Sequence, residues 1–125
     1  MKELVKVYKA LSDESRLRVL NLLLERECCV CEVMQVLDIS QSKASRILSA
    51  LYDAGFLALH KQGLWSLYSI DWDGMSPWLK TIVEANSKSF RGKKQMELDR
   101  ERLKTTERIA PCCTATVEIQ ALECQ

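Results

Sequence analysis

The chain has 125 residues, of which 47% are hydrophobic and 28% charged, and its formal net charge is +1. That balance suits one globular domain with a modest core, and it provides no overall basic field for nucleic acid. No apolar run reaches the 18 residues of a membrane span, and the charged, amphipathic start is not a signal peptide, so we expect a cytoplasmic protein.

Apolar residues recur at helical spacing through the first half of the chain. Residues 2–11 predict an amphipathic helix, and a second helix follows, capped by Ser12 or Asp13. The stretch "CVCEVMQVLD" predicts a short third helix, and "DIS" a tight link behind it. A helix, a tight link and another helix are the elements of a helix-turn-helix.

The fourth helix has the clearest pattern. It runs roughly from Gln41 to Ala54, with Ser40 suited as its N-cap and Gly55 as the residue that ends it. Two stripes lie nearly opposite each other around it. The apolar stripe is Ala44, Ile47, Leu48 and Leu51, and the polar stripe is Ser42, Ser45, Arg46 and Ser49.

The second half contains a hairpin and further helix. "FLALHKQGLWSLYSI" predicts two short strands around a turn at "KQG". From Ser76 to about Arg108 the pattern is again helical, with a kink or break near Gly92. The basic residues within 88–108 we interpret as a solvated helix face. Residues 111–125 have strand-like composition and no clear partner.

These elements predict a mainly α fold with a small β-hairpin, a winged helix-turn-helix. In that fold the second helix of the motif enters the DNA major groove. An ordinary amphipathic surface helix is the alternative, but serines are mediocre helix formers and their concentration there favours DNA binding. The candidate DNA contacts are Gln41, Ser42, Lys43, Ser45 and Arg46 on the helix and His60, Lys61 and Gln62 at the hairpin tip.

Six cysteines in a cytoplasmic chain point to metal binding or redox chemistry rather than to a disulfide framework. A helix N-terminus lowers a thiol pKa, which suits Cys29 and Cys31 in the cluster of Cys28, Cys29 and Cys31 at the start of the third helix. In a regular helix the second and third of these point apart, so they share an ion only if Cys29 precedes the regular helix or the first turn distorts. The alternative for each is a small buried hydrophobe.

The stretch "LSDESRLRVLNLLLERECCVCEVMQVLDISQSKASRILSALYDAGFL", followed by "GLWSLYSI", resembles the arsenic-responsive ArsR/SmtB-type repressors over roughly residues 4–90. "CVCEVM" is similar to their thiol box. The resemblance implies a homodimer, joined through helices near residues 2–11 and 76–90, that represses metal-resistance operons on double-stranded operator DNA and leaves the DNA when an ion binds. We accordingly divide the chain into a DNA-binding and dimerisation domain, 1–92, and a C-terminal helical extension with a cysteine-containing tail, 93–125.

The chain departs from the family box at Met34, where a third cysteine can stand. The third thiolate is then Cys28, or Cys112 or Cys113 from the vicinal pair in the tail, unless that pair forms a second site. Cys124 we expect to be exposed and incidental. Thiolates select soft ions. In the family that the chain resembles, zinc sensors use histidines and carboxylates of the last helix, and cadmium and lead sensors draw thiols from an N-terminal extension. Since His60 is the only histidine and no cysteine precedes Cys28, the resemblance implies trivalent arsenic (arsenite), antimonite or a methylated arsenical as the inducer, with a cadmium or lead sensor on the same scaffold as the alternative.

Two other functions are compatible with the same residues. A thiol redox sensor would join a cysteine of the first cluster to one of the tail pair in a disulfide. An enzyme, such as a thiol-dependent arsenate reductase, is disfavoured because no glycine-rich phosphate loop lies near the thiols.

Overall fold

The computed structural model of the protein describes residues 1–109, which form six helices and one two-stranded sheet. The predictions for Cys112, Cys113, Cys124 and the 111–125 tail therefore lie outside the described residues. In chain order the elements are α1 (Lys2–Ala10), α2 (Glu14–Glu25), α3 (Val30–Leu37), α4 (Gln41–Asp53), β1 (Leu57–Gln62), β2 (Trp65–Ile70), α5 (Pro77–Phe90) and α6 (Lys94–Lys104).

The predicted helix boundaries of the first half are confirmed, and local capping explains them. Asp13 precedes α2 and accepts a hydrogen bond from the backbone N–H of Ser15 at 3.1 Å. Ser40 caps α4 by accepting from the backbone N–H of Lys43 at 3.2 Å. Gly55 follows α4 with φ of 97°, a conformation that favours glycine and ends the helix.

The hairpin is confirmed, but its tip lies further along than predicted. Gln62 pairs with Trp65, so the loop consists of Gly63 and Leu64, and Gly63 has the positive φ (63°) that a tight loop needs. The proposed tip residues His60, Lys61 and Gln62 instead form the end of β1. Throughout we call this hairpin the wing.

The long C-terminal helical pattern is broken at Gly92, which has φ of 82°. Beyond it α6 packs against α2 and α3 and adds Leu103 to the same core. The interpretation of 88–108 as a solvated face is wrong in part. Arg100 donates to Asn21 Oδ1 at 3.0 Å, and Arg102 donates to the carbonyl oxygen of Val36 at 3.1 Å.

A single core holds these elements together and leaves the start of α4 at the surface. Its largest fully buried side chains include Leu20, Leu22, Leu48, Leu51, Phe56, Leu67 and Leu103. Within residues 1–109, no helix combines the length and the apolar run needed to cross a membrane. The proposed boundary at residue 92 coincides with the turn between α5 and α6, and the division itself stays a prediction.

Candidate DNA-binding surface and thiol site

The polar stripe of α4 faces outward, opposite the stripe that fills the core. Ser42, Lys43 and Arg46 are exposed, while Gln41 and Ser45 are half-buried. The apolar stripe of the same helix is buried throughout. The five candidate residues on α4 therefore share one accessible end of the helix.

A surface cleft beside α4 adds a cation that the sequence pattern did not single out. Lys43 and Arg46 line this cleft together with Arg16 from the start of α2, and Asp13 lies at its edge. Three cations around one cleft suit a phosphate group. Arg16 was missed because only the folded contact of α2 with α4 brings it to the recognition helix.

The wing carries its polar residues on the exposed end of β1. His60, Lys61 and Gln62 are all exposed, and Leu64 at the tip is 60% exposed. His60 is also turned toward the thiol region, since its Nε2 lies 3.4 Å from Glu27 Oε2. The wing and the segment that precedes α3 are thus in contact.

The three clustered cysteines occupy three different structural positions. Cys28 pairs its backbone with Tyr68 of β2 through two hydrogen bonds, of 3.0 and 2.8 Å. Cys29 is the N-cap of α3, with extended backbone angles (φ −93°, ψ 171°), so it precedes the regular helix. Cys31 lies in the first turn of α3. The condition under which Cys29 and Cys31 can face one ion is therefore met by the backbone.

Burial, rather than the helix N-terminus, dominates the acidity of the first two thiols. Cys28 and Cys29 are free thiols with no exposed surface. Burial, assisted by the Glu32 carboxylate, raises the pKa of Cys28 to about 12. Burial also raises the pKa of Cys29. The expected lowering is wrong for Cys29 in this conformation, and ion binding at these thiols would have to release protons.

Glu32 lies at the centre of a buried polar cluster beside the thiols. It is 2% exposed and accepts the backbone N–H of Cys29 at 3.0 Å. Arg26 and Arg108 form ion pairs with it at 2.7 and 3.2 Å, and the Thr106 hydroxyl donates to it at 3.3 Å. Although burial alone would raise the pKa of Glu32, these donors outweigh it and hold the pKa below its ordinary value.

The segment that follows α6 runs back along α3. Gln35 donates its amide to the carbonyl oxygen of Glu107 at 2.7 Å and accepts the backbone N–H of Glu107 at 3.1 Å. Farther on, the carbonyl oxygen of Ile109 lies 3.3 Å from Trp65 Nε1, which donates to it, and 3.6 Å from Cys31 Sγ. The chain thus reaches residue 109 at the thiol cluster.

Within residues 1–109, no group of three or more His, Cys, Asp or Glu side chains is placed to hold a metal ion. Cys28, Cys29 and Cys31 alone therefore do not provide a preformed three-thiolate site. Cys112 stands three residues beyond Ile109, a span of at most roughly 10 Å of extended chain. A tail thiol is thus within reach of Cys31.

Residues 1–109 form six helices around one core, with a helix-turn-helix ahead of an antiparallel wing, and this arrangement defines a winged helix-turn-helix protein of the kind that binds DNA. Residues 13–58 match the bacterial regulatory protein, arsR family. The chain is 38% identical over 81 residues to the arsenical resistance operon repressor of Escherichia coli strain K12, covering 64% of this chain and 68% of that protein. The chain therefore belongs to the arsR family, whose members are DNA-binding transcriptional regulators rather than enzymes.

Two further comparisons extend the likeness. The cadmium resistance transcriptional regulatory protein CadC homolog of Staphylococcus aureus is 39% identical over 70 residues, which cover 55% of this chain and 58% of that protein. Among solved structures, reduced HlyU from Vibrio cholerae N16961 superposes with a TM-score of 0.60 at 28% identity, covering 72% of this chain and 90% of that chain. The winged helix-turn-helix prediction is confirmed.

Proposed function

We propose that this protein is a repressor that leaves its operator when trivalent arsenic binds to Cys29, Cys31 and one tail cysteine, Cys112 or Cys113. The observation that supports this proposal most is the position of Cys31. It lies in the first turn of α3, the helix ahead of the recognition helix, and its sulfur lies 3.6 Å from the carbonyl oxygen of Ile109. The names of the relatives support metalloid response, since the Escherichia coli protein is an arsenical resistance repressor.

Three features support the choice of Cys29, Cys31 and a tail cysteine as the ligands. The extended backbone of Cys29 lets it share an ion with Cys31 without distorting α3. Cys28 is the weaker candidate, because its backbone is paired with the wing and its thiol donates to the carbonyl oxygen of Arg26 at 3.4 Å. The tail pair then supplies the third thiolate that soft trivalent ions prefer.

Ion binding would act on DNA through the start of α3. Cys29 and Glu32 form a capping box there, so drawing the Cys29 sulfur to an ion competes with the cap. The body of α3 packs against α4, and the backbone of Cys28 is paired with the wing. Both DNA-contacting elements are thus connected to the thiols. Release requires that the ion bind more tightly to the DNA-incompetent state.

Operator recognition would use the exposed start of α4 and the adjacent cations. Arg46 and Gln41 are suited to read guanine and adenine edges, and Lys43 with Arg16 is placed for phosphate contacts. His60, Lys61 and Gln62 on the wing are proposed to reach the flanking backbone. Because phosphate contacts release counterions, operator affinity should fall steeply as salt rises.

The proposed homodimer would cover apolar side chains that the single chain exposes. On α1, Val5 is 46% and Tyr8 is 59% exposed, and on α5, Trp78 is 42% exposed. These helices are the two expected to form the interface. A two-fold dimer implies a near-palindromic operator with half-sites about 34–36 Å apart or a multiple of that distance.

The experiment is operator release against arsenite, methylarsenite, antimonite, cadmium and zinc, for the wild type and for Cys112→Ser/Cys113→Ser. We expect arsenite or methylarsenite to release the wild type at the lowest concentration and the double variant to stay bound. Release of the double variant at the same arsenite concentration would show that neither Cys112 nor Cys113 is a ligand of the inducing site. Release by cadmium in preference to arsenite would assign the site to the function named by the Staphylococcus aureus relative.

A redox-responsive regulator is the second candidate. The observation that favours it is the structural likeness to HlyU, whose solved form is described as reduced. In that case a disulfide between the first cluster and the tail pair would form on treatment with peroxide and release the DNA. Peroxide release with no response to arsenite, together with a disulfide detected by non-reducing mass spectrometry, would establish it.

A further inference from the structure

We infer that residues 103–109, here called the docking segment, are a positioning device that holds the tail cysteines beside Cys31 of the same chain. The inference rests on the proposed function and deepens it. It assigns the third ligand to the chain that carries α3, rather than to a dimer partner, and it names the side chains that fix its position. Those side chains are Arg26, Glu32, Gln35 and Arg108.

The first contact fixes the direction and register of the segment. Gln35 both donates to and accepts from the backbone of Glu107, at 2.7 and 3.1 Å. Two bonds between one side-chain amide and the backbone N–H and C=O of Glu107 leave that residue little freedom to slide along α3. The side chains of Gln35 and Glu107 themselves are exposed, so the pair contributes little to the core.

The second contact ties the segment to the buried Glu32 cluster. Arg26 donates to the carbonyl oxygen of Leu103 at 3.0 Å while forming an ion pair with Glu32. Thr106 and Arg108 bind the same carboxylate. The carboxylate that caps α3 at Cys29 therefore also holds the docking segment, so the ligand-bearing helix and the segment share one anchor.

The third contact delivers the end of the segment to the thiols. Trp65 and Cys31 both approach the carbonyl oxygen of Ile109. From that point only two residues separate Ile109 from Cys112. A docked segment confines the tail thiols to a small volume around Cys31, whereas an undocked one would dilute them over the reach of the whole tail.

Thiol–disulfide exchange measures that confinement with neither DNA nor arsenic present. Reduced full-length protein is equilibrated in glutathione and glutathione disulfide buffers. When Cys31 and a tail cysteine join, their two thiols are oxidised, and one glutathione disulfide is reduced to two glutathione, which take up the two protons. After alkylation, tryptic digestion releases peptide 27–43 joined by the disulfide to the tail peptide, which is 109–125, or 105–125 when the cleavage site at Arg108 is removed. The fraction of disulfide-linked peptide, plotted against the composition of the glutathione buffer, gives the effective concentration of the tail thiols at Cys31.

Gln35→Ala removes the register contact, and we expect it to lower the effective concentration by roughly fivefold to tenfold, as the loss of two modest hydrogen bonds implies. Arg108→Ala should have a similar effect, with partial recovery in Arg108→Lys. Lys104→Ala is the matched control, because it removes a nearby cation whose ion pair with Glu101 is exposed. Thermal melts establish that each variant is folded.

A labelling experiment distinguishes a disulfide within one chain from a disulfide between two chains of a dimer. ¹⁵N-labelled and unlabelled chains are unfolded together, refolded and then equilibrated in the same buffers. We expect linked peptides to carry one label throughout. Mixed-label pairs making up half of the product would place the tail on the partner and overturn the inference, as would an unchanged effective concentration in folded Gln35→Ala and Arg108→Ala. Because no metalloid is used, the result stands apart from arsenite release: a wild type that ignores arsenite refutes the proposed function and leaves this measurement intact.

Discussion

The starts of α3 and α4 are built on the same plan but connected differently. Each begins with a capping residue, Cys29 or Ser40, followed by a first turn of helix. At α4 the cap bond is local, from the backbone of Lys43, three residues on. At α3 the cap bond is made by Glu32, which also binds Arg26 and, beyond α6, Thr106.

This difference distinguishes the start of α4, which we propose reads DNA, from the start of α3, which we propose senses an ion. A surface that must meet DNA benefits from exposed side chains on a rigid, locally closed helix. An ion site that must change DNA binding needs bonds to distant parts of the chain. Coupling requires a structural element whose equilibrium both the ion site and the DNA-binding surface shift. The four predictions below test that contrast, from the largest expected effect to the smallest.

The largest effect should come from the thiols of α3. Cys29→Ser and Cys31→Ser are each expected to abolish release by arsenite while operator affinity stays at the wild-type value, since serine retains the N-cap and cannot supply a thiolate. Anisotropy titrations of a labelled operator measure both quantities. Cys124→Ser is the control that should respond as the wild type does. A variant that no longer binds DNA would mean that the thiols are structural.

Glu32→Ala should be the most destabilising change at the α3 start, by about 2–4 kcal/mol of unfolding free energy. It leaves Arg26 and Arg108 without their buried partner and the Cys29 N–H without its acceptor. The effect is limited because both arginine side chains are about one-third exposed and can rehydrate. Urea unfolding followed by circular dichroism measures it.

Glu101→Ala provides the comparison for that measurement. Its ion pair with Lys104 is exposed, and its loss should change stability by at most about 1 kcal/mol. Equal losses for Glu32→Ala and Glu101→Ala would show that the Glu32 cluster does not hold the docking segment to α3.

Arg46→Ala should affect the α4 end alone. We expect operator affinity to fall by about 10- to 100-fold, corresponding to about 1–3 kcal/mol for a base-reading arginine. The arsenite concentration needed to release the remaining complex should stay the same. Lys94→Ala on α6, an exposed cation distant from α4 in sequence, is the control in the same binding assay. Unchanged affinity would remove Arg46 from the interface.

Ser40→Ala should give the smallest effect, about 1 kcal/mol of unfolding free energy, because only one local cap bond to Lys43 is lost. Thermal unfolding is the measurement, with Ser40→Asp as the variant that restores a cap. If Ser40→Ala lowered the unfolding free energy as much as Glu32→Ala does, the proposed difference between the starts of α3 and α4 would be wrong.

The same contrast explains how much the sequence could predict. The α4 end depends on short-range signals: the Ser40 cap, the two opposed stripes and Gly55 as a stop. Each acts within a few residues, so the helix and its outward face were predicted correctly. The wing was predicted from alternation, but its loop was placed early, because the choice of tip depends on the pairing of Gln62 with Trp65.

The α3 end depends on contacts that no local pattern records. Cys28 meets Tyr68 across 40 residues, and Glu32 meets Thr106 and Arg108 across 74 and 76. Local reasoning therefore gave the thiols as candidates but assigned Cys29 and Cys31 the lowered pKa of an open helix start. Burial by the rest of the fold raises the pKa of Cys29 instead, and it raises the pKa of Cys28 as well.

The central claim is that an ion at the thiols and operator DNA oppose each other. Its most direct test is reciprocal: the operator Kd with and without saturating arsenite, and the arsenite Kd with and without saturating operator. Linkage requires both to weaken by one common factor, and the account predicts a factor of about 5 to 150. Arsenite that binds equally well to the free protein and to the operator complex would contradict it.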